Sequence, residues 1–287
     1  MKGIRVVIVD DSVFSISIIK NILEENGFEV VGQASSLEEV KSVIAETKPD
    51  LVTMDMTLPG TDGLECTRAV HEIDPNIKVI VISSMMDDEI LKQAKDNKVS
   101  SYIQKPVDAD ELVTTIDRVM ASVELYQNLC NSYPLVFKEA LLDAVNKMTK
   151  TLLTYKQESI PDEEFRSRGL TVIIGIIGKF SGSLLIDLSK ETAFSLVSAM
   201  MKAEPKNNDQ VTAALGEFTN ILAGNACSLL NKLNKAYGLR VSPPSVLQGD
   251  GVVIARPNFK TISVLADTNY GEILLNVGFA RSEHTWM

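Results

Sequence analysis

Three carboxylates, a hydroxyl and an ammonium group follow separate apolar runs in the first 120 residues. Asp10 and Asp11 follow the first run, "IRVVIV", and three later runs are followed by Asp55, Ser83 and Lys105. Carboxylates that converge without a cation would repel one another and raise each other's pKa. Oxygen ligands of this kind favour Mg²⁺, and Lys105 would add a fixed positive charge. The residue types therefore predict a Mg²⁺ site that receives phosphoryl oxygens.

The elements that would position these groups are apolar runs at 4–10, 28–34, 50–56, 78–84 and 101–106, with helical stretches between them. Continuous Val/Ile runs indicate strands that are buried on both faces of a parallel sheet. The pattern predicts a five-stranded, doubly wound (flavodoxin-like) α/β domain, whose binding crevice lies beyond the carboxyl ends of the strands. Solvation or helix capping would explain any one of these carboxylates, but not the whole set.

This set resembles the receiver domain of two-component response regulators, and the resemblance covers residues 1 to about 122. It implies that Asp55 is the phosphoacceptor for a sensor histidine kinase. It also implies that Asp10 and Asp11, with Asp55 and the backbone carbonyl of Thr57, hold Mg²⁺.

By the same resemblance, Ser83 and Lys105 contact the phosphoryl group and Tyr102 occupies the aromatic switch position. The peptide bond before Pro106 is expected to be cis. The chain departs from the family at Ile16, where many receivers carry Arg, and this departure concerns only contacts of the helix face.

The connection to the rest of the chain has an apolar series that steps by four and three residues, typical of a helix. Either its second half frays, or the helix runs into a dimer seam or onto the next domain. Pro134 disfavours helix at Tyr133 and predicts an end there. We predict a receiver at 1–122, a helical linker at 123–134 and a second domain at 135–287. The series is Leu112, Ile116, Val119, Val123, Tyr126 and Cys130.

The second domain contains two similar hairpin patterns, at 171–188 and 262–277, in which "FSGSLLIDL" can be laid on "NYGEILLNV". An internal duplication is the simplest interpretation. A long helix is predicted at 135–156, and two more helices between the hairpins, the second starting near a capping Asp209 and ending near Gly238. These elements predict an α+β domain, with long helices on one face of a sheet.

The segment "LGEFTNILAGNA" (215–226) lies in the last of these helices and contains two glycines, each costing about 1 kcal/mol relative to Ala. Glu217 and Asn220 stand there in a stripe that is otherwise small: Ala213, Gly224 and Cys227. Such a stripe lets another backbone come close. Packing against a neighbouring helix of the same domain is the alternative.

The same segment, followed by "SPPSV", is similar to the CheC/CheX/FliY family of receiver phosphatases over about 133–280. The family pattern is Asp or Ser, three residues, Glu, two residues, Asn, 22 residues, Pro. The chain has Glu217, Asn220 and Pro243 at the last three positions and departs at Ala213. A single Glu/Asn pair is more like CheX than CheC.

The resemblance implies hydrolysis of aspartyl phosphate on receiver domains. Asn220 would hold a water in line with the P–O bond, and Glu217 would pair with the receiver's active-site lysine. The other long helix has only Asp143 and Asn146, with Gly169 at the proline-equivalent spacing; we interpret it as not a site.

Composition excludes several other classes. Residues 1–120 hold 12 Lys+Arg and 22 Asp+Glu, a net charge of −10, which leaves 16 of each in the remainder. Neither part has the clustered basic surface of a nucleic-acid binder. The three cysteines, Cys66, Cys130 and Cys227, lie far apart, which fits a reducing cytoplasm. No signal peptide or membrane span is predicted.

Three functional hypotheses follow. The first is a response regulator whose second domain dephosphorylates CheY-type chemotaxis receivers. The second is a non-enzymatic, phosphorylation-controlled dimerisation or binding module related to flagellar switch components. The third is self-dephosphorylation of Asp55, within one chain or across the homodimer that we expect.

Overall fold

The computed structural model of the protein describes residues 3–85, 88–159, 165–255 and 257–281. The chain divides into two compact units, which meet in sequence between Glu124 and Leu125. Within these described ranges, no helix is both long and apolar enough to cross a membrane.

The first unit contains a parallel five-stranded sheet, as predicted. Its strands are β1 (Arg5–Val9), β2 (Glu29–Ala34), β3 (Leu51–Asp55), β6 (Lys78–Ser83) and β7 (Ser101–Gln104), with the short pair β4 (Thr57–Leu58) and β5 (Thr61–Asp62) after β3. The order β2-β1-β3-β6-β7 is that of a doubly wound sheet. The carboxyl ends of all five strands therefore meet at one edge.

Four helices, and the start of a fifth, cover both faces of this sheet with apolar side chains. They are α1 (Val13–Glu25), α2 (Leu37–Thr47), α3 (Gly63–Ile73), α4 (Asp88–Asp96) and α5 (Ala109–Thr149). One apolar cluster combines Val7 and Val52 with α2 and α3, and the other combines Ile8 with α1 and α5. Ser12 caps α1 by accepting a hydrogen bond from the Ser15 amide, which fixes the turn directly after Asp10 and Asp11.

The hydroxyl of Thr53, on the central strand β3, is buried and has no hydrogen-bond partner among the described residues. Thr53→Val removes this group and keeps the shape, so we expect the free energy of unfolding of the first unit to rise by about 1 kcal/mol. Scanning calorimetry of the full-length protein measures the change. Thr67→Val is the matched control, because the Thr67 hydroxyl is equally buried but donates to the Gly63 carbonyl at 2.7 Å. Thr67→Val should lower the free energy of unfolding, because it removes a hydrogen bond that is made. If Thr53→Val lowers it as well, the prediction is wrong.

Helix α5 corrects the predicted stop at Pro134, because it runs unbroken through this residue to Thr149. Proline removes one hydrogen bond from a helix interior. Here the loss is offset by burial of the neighbouring Tyr133, Val136 and Phe137 in the second unit's core. The separate helix predicted at 135–156 is thus the second half of α5, and it ends earlier than expected.

The apolar series on α5 serves two cores in turn. Leu112, Ile116 and Val119 are buried against the first sheet. Further along, Tyr126 donates a hydrogen bond to the Phe279 carbonyl at 2.8 Å and its ring packs edge-on against Phe180. Of the three possibilities for the second half of the series, packing on the second domain is therefore observed.

The second unit is a mostly antiparallel sheet with helices on one face, as predicted. Its strands are β8 (Thr154–Ser159), β9 (Phe165–Ile177), β10 (Gly182–Ser189), β11 (Arg240–Val241), β12 (Ser245–Ile254), β13 (Thr261–Thr268) and β14 (Gly271–Phe279), and its other helices are α6 (Lys190–Met201), α7 (Asn208–Leu233) and a 3-10 turn (Lys235–Tyr237). The second half of α5, α6 and α7 share one apolar core with this sheet.

The sheet order makes the internal duplication visible. Both β11 and β12 pair with β9, and the strands then follow as β10, β14, β13 and β8. From one edge the strands run β12, β9, β10, and from the other edge they run β8, β13, β14. The two halves of the sheet therefore match, with β12 corresponding to β8, β9 to β13 and β10 to β14. At the centre Ile186 pairs with Leu275, the residue onto which the sequence alignment places it. A pseudo-two-fold axis therefore passes through this pair.

The duplication extends to polar groups. On β10, the fully buried Asp187 accepts a hydrogen bond of 2.6 Å from the Thr171 hydroxyl on the facing strand. At the corresponding place on β14, Asn276 donates to the Ser263 hydroxyl at 2.8 Å. Arg168 completes the first pair with a contact of 3.1 Å to Asp187.

Three details of the second unit differ from the sequence prediction. The edge strands β8 and β12 were not predicted, because "TYKQES" and "SVLQGDGVVI" have few consecutive apolar residues. The cap of α7 is Asn207 instead of Asp209, since its side chain accepts the Gln210 amide at 2.9 Å. The turn at Gly238, which has φ of +56°, follows the 3-10 turn rather than α7 itself.

Candidate functional site

The first candidate site lies at the carboxyl edge of the parallel sheet. Asp10 directly follows β1, Asp55 ends β3, Ser83 ends β6 and Lys105 directly follows β7. Carboxylate oxygens of Asp10, Asp11 and Asp55 all lie within 4.8 Å of one another. The topology thus brings together the residues whose types suggested a charged site.

Lys105 bridges two of these carboxylates. Its Nζ atom lies 2.9 Å from Asp10 Oδ2 and 2.9 Å from Asp55 Oδ2. Asp10 and Asp55 are only 1% and 7% exposed, so the contacts form largely away from solvent. Burial lowers the pKa of Lys105, but hydrogen bonds to Asp55 and Asp10 outweigh it and raise this pKa above its usual value. The ammonium is therefore a fixed positive charge at neutral pH.

Ser83 and Tyr102 are joined through one neighbouring residue. The Met85 amide donates to Ser83 Oγ at 3.2 Å, and the Tyr102 hydroxyl donates to the Met85 carbonyl. Ser83 is almost fully buried beneath the site. The Lys105–Pro106 peptide bond is cis, as the family resemblance implied.

The donor set at this edge fits a hard divalent cation, because it consists of carboxylate oxygens with a large negative charge. Asp11 is exposed, while Asp10 and Asp55 are held by the protein, so the cluster is open to solvent on one side. The Thr57 amide donates a hydrogen bond to Asp55 Oδ1 at 3.4 Å, so the residue of the predicted carbonyl ligand lies next to the cluster, at the start of β4.

The second candidate site is the solvent side of α7. Glu217 is exposed and Asn220 is partly buried, one helical turn apart. Within the described ranges, no hydrogen bond or ion pair engages either side chain. The next positions of the stripe, Ala213 and Gly224, are accessible, whereas Cys227 is buried and does not belong to this surface.

Helix α5 carries the pseudo-symmetric counterpart of this pair. On α7, Glu217 and Asn220 lie two and five residues after the buried Leu215. On α5, Asp143 and Asn146 lie at the same two positions after the buried Leu141. Their situation differs in one respect: Asp143 forms an ion pair of 2.6 Å with Lys147. Gly169, at the proline-equivalent spacing, lies inside β9 instead of in a loop.

A cleft of about 540 Å³ lies between α6, α7 and the strands β9 and β12. Its walls include Lys190, Phe194, Thr212 and Gln248. Sequence reasoning missed it, because the lining residues come from elements far apart in the chain. Neither candidate site contains these residues.

Comparison with known proteins agrees with this two-part architecture. The family model for the response regulator receiver domain matches residues 6–117, and the model for the chemotaxis phosphatase CheX matches residues 170–266. The chemotaxis protein CheY of Thermotoga maritima is 36% identical over 117 residues, which are 41% of this chain and 98% of that protein. CheY of Bacillus subtilis is 35% identical over 116 residues, 40% of this chain and 97% of that protein.

A solved structure of the chemotaxis protein CheX from Desulfovibrio desulfuricans has a TM-score of 0.47 and 23% identity, and covers 52% of this chain and 99% of that one. The chain belongs to the response regulator family and combines a receiver domain with a CheX domain. The acidic cluster of Asp10, Asp11 and Asp55 is the kind of pocket in which receiver domains bind Mg²⁺.

Proposed function

We propose that this protein is a response regulator whose CheX domain hydrolyses the aspartyl phosphate of CheY-type receivers, under the control of its own phosphorylation on Asp55. The observation that carries the proposal is the Glu217/Asn220 pair. It lies on an accessible helix face, in the segment that matches the CheX family, with no partner among the described residues.

The receiver chemistry begins with Asp55. One carboxylate oxygen attacks the phosphorus of a kinase phosphohistidine in line, the P–N bond breaks, and an aspartyl phosphate forms. Lys105 stabilises the negative charge on the transferring oxygens, and the Ser83 hydroxyl donates to one of them. Bound Mg²⁺, held by Asp10, Asp11, Asp55 and the Thr57 carbonyl, would neutralise charge at the same place.

The phosphatase chemistry needs little beyond a positioned water. A phosphorylated receiver already has its own metal site and lysine, so hydrolysis lacks mainly a nucleophile in line with the P–O bond. The Asn220 amide would hold that water, and the Glu217 carboxylate would pair with the receiver's lysine. Water then attacks phosphorus, the P–O bond to aspartate breaks, and inorganic phosphate leaves.

The test is release of phosphate from a separate phosphorylated receiver. Only the partner receiver carries the label, and the added protein is tested both without phosphate and after phosphorylation of Asp55 by an unlabelled phosphodonor. Activity should be lost in the variant Glu217→Ala/Asn220→Ala. Equal decay rates in both states, for both proteins and for the receiver alone, would sink the proposal.

The small stripe gives a second prediction, with opposite effects on stability and rate. A Cβ added at Gly224 would meet no atom within 4 Å, so Gly224→Ala should stabilise α7 by up to about 1 kcal/mol. If the open surface is clearance for a receiver backbone, the same variant should slow phosphate release. Hydrogen exchange of the α7 amides and the phosphatase assay measure the two effects.

Gly238→Ala is the control for Gly224→Ala. Gly238 has a φ of +56°, a left-handed conformation that alanine disfavours. The free energy of unfolding of this variant should therefore fall by about 1 kcal/mol. If Gly224→Ala is stabilised but releases phosphate at the wild-type rate, the stripe does not serve as clearance for a receiver backbone.

A binding module without catalysis is the second candidate, and Ala213 favours it, since the phosphatase family has Asp or Ser there. The apolar series on α5 no longer supports it, because Tyr126 packs within the second unit. Association that depends on phosphorylation, with no phosphatase activity, would establish this alternative and the predicted homodimer.

A further inference from the structure

The chain between β11 and β12 forms a β-bulge of two prolines. Arg240 and Val241 pair with Ile177 and Ile176, and the Ser242 amide continues the ladder by donating to the Gly175 carbonyl at 2.8 Å. Pairing resumes at Ser245, opposite Ile173. Two residues, Pro243 and Pro244, therefore stand opposite the single Ile174, which defines a bulge. Prolines have no N–H, so neither residue of this segment can donate a ladder hydrogen bond.

The Ser242 side chain supplies the hydrogen bond that the bulge would otherwise remove. The Gly175 amide donates to Ser242 Oγ at 2.9 Å, and Ser242 Oγ donates to the Pro243 carbonyl at 3.3 Å. A hydroxyl thus takes the place of a ladder carbonyl. A Cβ at Gly175 would lie 3.1 Å from Ser242 Oγ, so this close contact suits glycine.

The bulge lies beside α7. A Cβ built at Gly216 would lie 3.6 Å from Pro244 Cγ and 3.7 Å from Val246 Cγ2, so both side chains face this glycine with room for about one methyl group. Gly216 directly precedes Glu217 and lies one turn before Asn220 on α7. The position of Pro244 is thus coupled to the stretch of helix that carries both side chains. Bulges beside functional sites commonly have this aiming role.

We propose that Ser242 is a positioning residue, which fixes the proline bulge against α7 and thereby holds Asn220 in place to orient water. The catalytic part of this inference rests on the proposed phosphatase function. The mechanical part, from Ser242 to Asn220, does not.

The experiment is Ser242→Ala in the full-length protein, with Ser242→Thr as the variant that keeps the hydroxyl. Ser245→Ala is the matched control, because Ser245 is exposed in the same segment and no hydrogen bond engages its side chain in the described structure. Nuclear magnetic resonance follows exchange of the Gly175 amide and the chemical shift of the Asn220 side-chain amide. Phosphate release gives kcat and KM.

In Ser242→Ala we expect faster exchange at Gly175, a shifted Asn220 resonance, and a kcat about tenfold lower with little change in KM. That loss is smaller than the about 100-fold that a full 1 Å misplacement can cause. Ser242→Thr and Ser245→Ala should resemble the wild type.

If Ser242→Ala does not fold, Pro244→Ala replaces it, because this variant keeps the Ser242 bonds and removes the ring carbon that faces Gly216 of α7. An Asn220 resonance that stays at its wild-type position in the folded variants overturns the proposal, even when Gly175 exchange rises. A wild-type protein without phosphatase activity would refute the proposed function. The Asn220 shift would still decide the mechanical link.

Discussion

Asp55→Asn is expected to reduce phosphate uptake by the receiver to background. Asp55 combines near-complete burial with a contact of 2.9 Å to Lys105, in a cluster with Asp10 and Asp11. An amide in its place removes the nucleophilic oxygen while it nearly preserves the volume. Incorporation of label from radiolabelled acetyl phosphate measures the loss without requiring the cognate kinase.

Asp96→Asn is the matched control for this prediction. Asp96 is an exposed carboxylate of the same unit, outside the acidic cluster. It should take up label at the wild-type rate. Persistent labelling of Asp55→Asn, or loss of labelling in Asp96→Asn, would show that the acceptor lies elsewhere.

Asn220→Ala is expected to lower the rate of phosphate release from a partner receiver by about 100-fold, the cost of losing a positioned reactant. The alanine cannot hold water in line, while Glu217 can still pair with the receiver's lysine. The effect should therefore fall on kcat more than on KM. Single-turnover decay at saturating enzyme isolates the chemical step.

The pseudo-two-fold axis offers a control inside the same protein. Asn146→Ala removes the corresponding side chain on α5, beside the Asp143–Lys147 ion pair, and should leave the rate unchanged. Equal losses in Asn146→Ala and Asn220→Ala would contradict the assignment of α7 as the reactive helix. An unaffected rate in Asn220→Ala would contradict the role of its amide.

The natural substrate can be separated by dilution. Decay of phospho-Asp55 that does not depend on protein concentration would indicate hydrolysis within one chain, whereas decay that slows on dilution would indicate a second copy. If Asn220→Ala leaves the decay of phospho-Asp55 unchanged at every concentration, Asp55 is not a substrate of the CheX domain. This comparison distinguishes the first and third functional hypotheses.

The receiver half was predictable because its central strands, β1, β3 and β6, are buried on both faces. Runs such as "RVVIV" and "KVIVIS" are apolar at nearly every position. Their carboxyl ends must share one edge, so Asp10, Asp55 and Lys105 could be brought together from topology alone. The contact between Tyr102 and Met85 could not, since it depends on how the following turn folds back.

The fold of the second half was predictable where the sequence has an apolar pattern. The prediction was wrong where packing outweighs local conformational preference. The helix end predicted at Pro134 was wrong, because burial of Tyr133 and Phe137 keeps α5 continuous through the proline. The edge strand β12 is mostly exposed and lacks an apolar signature. The sequence showed Pro243 only as a residue at the family's spacing from Asn220. It did not predict the bulge, because the bulge forms against Gly175, which is far away in the sequence.

The pseudo-two-fold axis through Ile186 and Leu275 relates α5 to α7, and the two copies differ in their surroundings. One copy, α5, is a single helix of 41 residues that also belongs to the receiver, and its Asp143 is already engaged. The other copy, α7, lies wholly within its own unit, and its acid and amide, Glu217 and Asn220, have no partner among the residues that the structure describes. Under the proposed function, the duplication therefore leaves one helix to join the two units and the other to carry the reactive pair.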